Sequence, residues 1–271
     1  MTDRYTHGHH QSVLRSHRWR TAENSAGYLL GSLRPGRRVL DVGCGPGTIT
    51  LDLARRVAPG EVVGIDLAAG VLAEAEAARA AAGVGNVTFR PADVYHLESG
   101  DGMFDRGTFD VVHAHQVLQH LSDPVAALVE MRRVLASGGV LAVRDSDYGA
   151  FAWSPADELL TRWMELYHQV TAHNDAEADA GRHLLRWVRA AGFTRATFTS
   201  STWTFADPDT RMWWGGLWAD RVEQSSFAEQ AVAYGFTDRE ELAAIADAWR
   251  KWAEHDDAVF IVVHGEVLAE R

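Results

Sequence analysis

The sequence predicts a single α/β domain built on a mostly parallel sheet. Three observations carry that expectation: β-branched runs alternate with helical segments from Arg37 to about Asp145, a glycine-rich turn follows the first run, and carboxylates close the next two at Asp66 and Asp93. With 271 residues, 46% hydrophobic and 23% charged, the chain has the length and balance to bury a core of this kind.

Arg4 to Leu33 reads as helical, an N-terminal cap over 1–33 ahead of the first strand. Strands are expected at Arg37–Val42, Glu61–Asp66, Asn86–Pro91, Phe109–Ala114 and Val140–Arg144, with helices Thr48–Ala58, Ala68–Ala82 and Pro124–Ala136 between them. Ile49, Leu53 and Val57 repeat every four residues and form one apolar stripe. Asp123 before Pro124 is an N-cap with proline at the first helical position, and Gly83 and Gly138 can end helices in a left-handed conformation. Right-handed crossovers would gather the loops of this core, 37–147, at the strands' carboxyl ends.

Beyond the core the chain changes character. Seven of its ten tryptophans lie between positions 150 and 220. Leu184–Ala191 continues a helix, while Phe193–Phe205 and Val259–Leu268 read as strands. Paired as an antiparallel hairpin, these strands let 148–205 and 258–271 complete the sheet. The stretch 206–257, helical in Glu240–Ala253, then becomes an insertion that can serve as a lid.

Net charge is −11, with 37 acidic against 26 basic residues, which disfavours nucleic-acid partners. No run approaches the roughly 18 apolar residues of a membrane span, and Met1 to His10 lacks the apolar stretch of a signal peptide. The single cysteine, Cys44, excludes an intrachain disulfide and suits a reducing compartment, so a cytoplasmic protein is expected.

The centre of the chemistry is Asp41-Val42-Gly43-Cys44-Gly45-Pro46-Gly47-Thr48, a strand end, a glycine turn and a helix start. Glycines let the backbone bend tightly and approach a ligand, although a tight βα connection alone would also use them. Asp66, 23 residues after Gly43, can accept hydrogen bonds from both hydroxyls of a ribose, and Asp93 from an adenine amino group. Each can equally be a helix or turn cap. Asp41 separates nucleotide classes, because a carboxylate beside a pyrophosphate is repelled whereas a sulfonium and an ammonium group are attracted. The turn also reads G-x-G-x-G rather than the dinucleotide fingerprint G-x-G-x-x-G.

With these residues in place, the sequence resembles the class I S-adenosylmethionine-dependent methyltransferases, especially the small-molecule group of the ubiquinone and menaquinone methyltransferases. The resemblance spans about Arg37 to Arg144 and rests on the Asp41-to-Gly47 loop, Asp66, Ala92-Asp93, Phe109-Asp110-Val111-Val112, Gln116-to-Leu121 and Arg133-to-Gly139. It implies a Rossmann-like, seven-stranded sheet. It further implies that Gly43, Cys44 and Gly45 pack against the methionine part, Asp41 near its amino group. Asp66 would hold the ribose, Leu67 would flank the adenine, Asp93 would reach its amino group, Ala92 and Val94 would belong to the cofactor site, and His115 and Gln116 would border the methyl donor. An O-methyltransferase for a small organic molecule is the leading expectation. A nicotinamide-dependent oxidoreductase and a non-catalytic S-adenosylmethionine-binding protein are the alternatives.

Methyl transfer needs positioning and, for a hydroxyl, a base, for which His115 and His120 are the candidates. Packing or turn capping explains the same histidines. Tyr5, Trp19, Asp145, Tyr148, Trp213 and Trp214 are the candidate substrate contacts, with core packing or a solvated loop as the ordinary explanation for each. Trp213 and Trp214 are adjacent, so one helix cannot bury both on one face, and one should face the cleft or a partner in a homodimer. His7-Gly8-His9-His10 supplies too few ligands for a metal, and none is expected.

Overall fold

The computed structural model describes residues 6, 8, 11–97 and 102–271. Helices α1 (Gln11–Arg18) and α2 (Ala22–Ser25) precede β1 (Val39–Val42), followed by α3 (Thr48–Val57), β2 (Val62–Asp66), α4 (Ala69–Ala82), β3 (Val87–Pro91) and β4 (Phe109–His115). Next come α5 (Pro124–Val134), β5 (Leu135–Ser146), β6 (Ala152–Ser154), α6 (Glu158–His173), α7 (Ala180–Ala190) and β7 (Arg195–Phe205). The chain ends with α8 (Pro208–Gln224), α9 (Ser226–Ala233), α10 (Arg239–Glu254) and β8 (Val259–Glu270).

Strands β3-β2-β1-β4-β5 run parallel in that order, and β8 pairs antiparallel with β5. β7 runs along the other edge of β8, giving the antiparallel end expected from the sequence. The sheet has eight strands rather than seven among the described residues. The added strand, β6, lies in line with β5 along the same edge of β8. β1 is buried throughout because both its faces are covered: Val39 packs into one cluster while Leu40 and Val42 pack into the other.

Boundaries move where local chemistry interrupts a helical pattern. The N-terminal segment is not one helix, because Thr21 and Asn24 form a capping box that starts α2 afresh. α5 stops at Val134 instead of Ala136, since Leu135 turns extended and pairs with Phe109 of β4.

The tryptophan-rich half has its own core. Trp163, Trp218 and Trp249 are fully buried around Phe260 of β8, with rings edge-on or stacked at centroid separations of 4.5–5.9 Å between the tryptophans. Such rings bury about 150–250 Å² each. Trp203 and Phe205 of β7 join the same cluster, so α8, α9 and α10 share a core with the antiparallel end of the sheet. Among the described residues, no helix is long and apolar enough to cross a membrane.

Candidate functional site

The chain leaves β1 toward β2 on one side and returns through β4 on the other, so the loops part at the strands' carboxyl ends and leave a crevice. A cavity of about 220 Å³ lies there, lined by Asp41 to Pro46, Asp66, Leu67, Ala92, Val94, His115 and Gln116 together with His17, Arg20 and His120.

Its floor is the glycine loop. Gly43, Gly45 and Gly47 have φ of 65°, 54° and 81°, left-handed values that favour glycine. A Cβ on Gly43 would stand 2.4 Å from Val117 Cγ2, whereas one on Gly45 would meet nothing closer than His17 Nδ1 at 3.7 Å. Gly43 is therefore held by packing, and Gly45 keeps backbone exposed to the cavity. The Gly45 N–H donates to Asp66 Oδ2 at 3.1 Å and the Ala68 N–H to Oδ1 at 3.0 Å. Asp66 thus pins the loop to β2 and retains further lone pairs, since a carboxylate offers about four acceptor positions.

Asp41 is buried mid-strand. Thr50 Oγ1 donates to one of its oxygens at 2.6 Å, and His113 Nδ1 stands 2.7 Å from the other, tying β1 to α3 and β4. Cys44 is buried too, and desolvation with Asp41 and Asp66 nearby pushes its thiol up, so it remains a neutral thiol. Asp93 sits at the rim. It accepts from the Tyr95 N–H at 2.9 Å, while its neighbours Ala92 and Val94, not Asp93 itself, line the cavity.

Past the end of β4, Gln116 adopts φ 54°, unusual for a residue with a Cβ. Its Oε1 accepts from Arg20, and its Nε2 donates to Ser146 Oγ at 2.7 Å and to His264 Nε2 at 3.0 Å. Arg20 can only donate, so the amide orientation is set, and His264 must present its lone pair at Nε2. Burial, with Arg144 and Arg20 close by, holds His264 well below the usual imidazole range.

The same reasoning fixes the two candidate bases. The Ser146 N–H donates to Gln119 Oε1 at 3.2 Å, which turns Gln119 Nε2 toward His120 Nε2 at 3.0 Å. His120 therefore accepts at Nε2 and carries its proton on Nδ1. Arg144 Nη1 faces His115 Nδ1 at 3.4 Å, which places the His115 proton on Nε2. Burial, then Arg20 and Arg144, hold His115 well below its ordinary pKa, so it stays neutral. In both rings the basic nitrogen already faces a donor.

A smaller cavity of about 30 Å³ adjoins the first and shares His17, Arg20, Gln116 and His120 with it. Tyr148, Phe151, Trp203, Trp214 and Trp218 form its aromatic wall, and Ser146 and Arg221 complete it with Ser16 and Val262. Tyr148 stacks on Tyr167 at 3.9 Å and Trp214 on Phe205 at 4.3 Å. Of the adjacent pair, Trp214 lines this cavity while Trp213 packs against Trp19, 5.4 Å between centroids. Trp19 and Trp213 line neither cavity.

Asp145 departs from the sequence expectation. It is fully buried and lines neither cavity, because its carboxylate accepts the Gln119 N–H at 3.1 Å beneath the turn at Leu118–His120. Burial pushes it up to about 7, against the pull of the backbone N–H groups of Gln119, Leu118 and Val117. Tyr5 and most of the His7-to-His10 cluster fall outside the described residues. Sequence reasoning did not single out Arg20, Gln119, His264 or Arg221. Arg20, His264 and Arg221 come from three separate segments and carry no local motif, whereas Gln119 lies within the Gln116-to-Leu121 segment without standing out in it.

A methyltransferase-domain family model matches residues 33–192. An uncharacterized methyltransferase of Schizosaccharomyces pombe is 33% identical over 98% of this chain and 96% of its own length. The ubiquinone biosynthesis O-methyltransferase of Hahella chejuensis is 36% identical over 40% of this chain and 42% of its own. Phosphoethanolamine N-methyltransferase 2 of Haemonchus contortus, solved with phosphomonomethylethanolamine and S-adenosylhomocysteine, superposes with a TM-score of 0.54 at 17% identity, covering 89% of this chain and 50% of that one. This chain belongs to the methyltransferase-domain family and is an S-adenosylmethionine-dependent methyltransferase.

Proposed function

We propose that the chain methylates an oxygen of a small organic molecule, with the methyl donor in the larger cavity and the acceptor approaching it from the wall shared with the smaller. The observation that carries this reading is the shared wall: His17, Arg20, Gln116 and His120 border both cavities, so a group held in one reaches the other. The similarity to a ubiquinone biosynthesis O-methyltransferase supports oxygen as the acceptor atom.

The residues of the larger cavity fit a cationic nucleoside. Asp41 and Asp66 make the lining acidic, and Gly45 leaves room for close backbone approach. In this reading Asp66 receives the ribose hydroxyls, Leu67, Ala92 and Val94 flank the adenine, and Asp93 at the rim receives its amino group. Gly43, Cys44 and Gly45 border the methionine part, with Asp41 beneath its ammonium group. When bound, S-adenosylmethionine supplies a methyl carbon that bonds to an acceptor lone pair as its bond to sulfur breaks, the electron pair staying on sulfur.

The chain's own contribution is orientation and exclusion of water. Gln116, locked by Arg20, Ser146 and His264, fixes the junction. Tyr148 and Trp214 present ring surface to the acceptor, and α8 and α1 cover it. Because His115 and His120 already face donors, they serve as walls and hydrogen-bonding groups rather than as the proton acceptor. The test is incubation with radiolabelled S-adenosylmethionine and a panel of small phenols, acids and amines. Label in an ether or ester product supports the reading, and label confined to amines overturns the choice of oxygen.

A further inference from the structure

β7 (Arg195–Phe205) is the last strand on its side of the sheet. It pairs with β8 through eleven consecutive residues with no shift in register, and among the described residues no strand pairs with its other edge. Arg195, Thr197 to Ser200, Thr202 and Thr204 are exposed, and Phe198 is one of the few large apolar side chains left open to solvent.

An edge of this kind presents a row of unpaired N–H and C=O groups, which chains ordinarily guard with lysine, proline, a bulge or an inward-pointing charge. None of these guards is present. From Ala196 to Ala206 the sequence holds no charged residue and no proline, and the ladder to β8 has no bulge. A net charge of −11 makes copies of the chain repel one another, and an exposed stretch without acids is where two copies approach at least cost.

The ends of the stretch carry opposite charges. Arg195 opens it, and Asp207, extended at φ −77° and ψ 157°, follows it; both are exposed. Arg195 also meets Glu270 of its own chain at 2.8 Å, yet its side chain stays 73% exposed, and Asp207 accepts from the Thr210 N–H at 3.0 Å with lone pairs to spare. Antiparallel pairing of β7 with its own copy, about a two-fold axis at Ser201, sets Phe198 opposite the partner's Thr204 and Arg195 opposite the partner's Asp207. Residues so matched lie on one face of the joined sheet, since both numbers are odd or both even. Each copy thus supplies the charge that the other needs. A pairing of this length forms about ten inter-strand hydrogen bonds, as many as a standard interface carries.

We propose that the outer edge of β7 is a self-association surface whose partner is a second copy of this chain, the two β7 strands pairing antiparallel to join two sheets into one. The association is independent of the acceptor proposed above.

The test is sedimentation of the full chain, which should form a dimer at about 100 µM. Ser200→Lys places at an exposed position the guard that the edge lacks, and should raise the dissociation constant at least about tenfold. Arg195→Glu and Asp207→Arg should each raise it at least about threefold, because symmetry removes two ion pairs at once, and the double variant should recover most of that loss. The melting temperature of each variant establishes that its fold is intact, and Thr202→Lys reads the same edge should Ser200→Lys fail to fold. A wild-type monomer at about 100 µM, a dimer indifferent to lysine in this edge, or a charge reversal that the second reversal does not rescue would overturn the proposal.

Discussion

Gly43→Ala separates two constraints that the glycine loop imposes at once. The first is conformational: φ at this position is 65°, and a side chain in the left-handed region costs about 1–2 kcal/mol. The second is steric. The new methyl would lie 2.4 Å from Val117 Cγ2 but 3.6 Å from Val117 Cβ, so the overlap is with one methyl group. Overpacking of this kind costs about 1–3 kcal/mol, and the single variant should lose about 2–5 kcal/mol in all. In a Val117→Ala background Cγ2 is gone and the remaining 3.6 Å contact is ordinary, leaving only the conformational part. The two substitutions should therefore couple by about 1–3 kcal/mol in a double-mutant cycle measured by urea unfolding. S-Adenosylhomocysteine affinity, measured by calorimetry, should recover in the double variant to the extent that the loop regains its path. Equal destabilisation by Gly43→Ala in both backgrounds would refute the packing argument and leave φ as the whole reason for the glycine.

Other substitutions test the remaining parts. Asp66→Ala should weaken S-adenosylhomocysteine binding by about 1–3 kcal/mol in calorimetry, the cost of leaving donors unpaired, and an unchanged affinity in a folded variant would remove the ribose role. His120→Ala should lower methyl transfer by less than the roughly 10²–10⁴-fold expected of a positioned base, and a loss within that range would restore it as one. Asp145 binds a proton in the folded state up to about pH 7 that the unfolded chain releases near its ordinary value of 3.8. Its contribution to stability is therefore present at low pH and lost as pH rises through about 7. Asp145→Asn should flatten the fall of melting temperature between pH 5 and 8, and parallel curves for the two proteins would contradict its buried, protonated state.

The parallel half of the fold was legible because its signals are local. Each β-branched run of the first three strands is short and stops at a glycine, an acid or a proline, while burial on both sheet faces keeps β4 apolar along most of its length. The larger cavity was legible for a related reason, since a glycine loop and the ends of adjacent strands must converge at the switch in strand order. Asp145 was misplaced because a residue three positions from the cavity-lining Tyr148 looks equivalent in sequence, and only the turn above it shows where its oxygen goes. Arg20, Gln119, His264 and Arg221 meet through tertiary contacts across segments separated by up to 244 positions, between Arg20 and His264. Their positions obey no spacing rule, so a pattern of hydrophobicity cannot reveal them.

The lone cysteine turns the glycine loop into its own stopwatch. Cys44 is the only thiol of the chain, sits on the wall of the larger cavity, and is 9% exposed with its ionisation suppressed. The thiolate is the form that attacks an alkylating reagent and displaces its leaving group, so alkylation in the closed loop is slow, and modification proceeds through brief openings that expose and resolvate the sulfur. The alkylation rate therefore counts excursions of one named loop without interference from any other site on the chain. A ligand seated against the loop lengthens the interval between those excursions, and mass spectrometry of a single peptide records the change with no chromophore, label or acceptor substrate required.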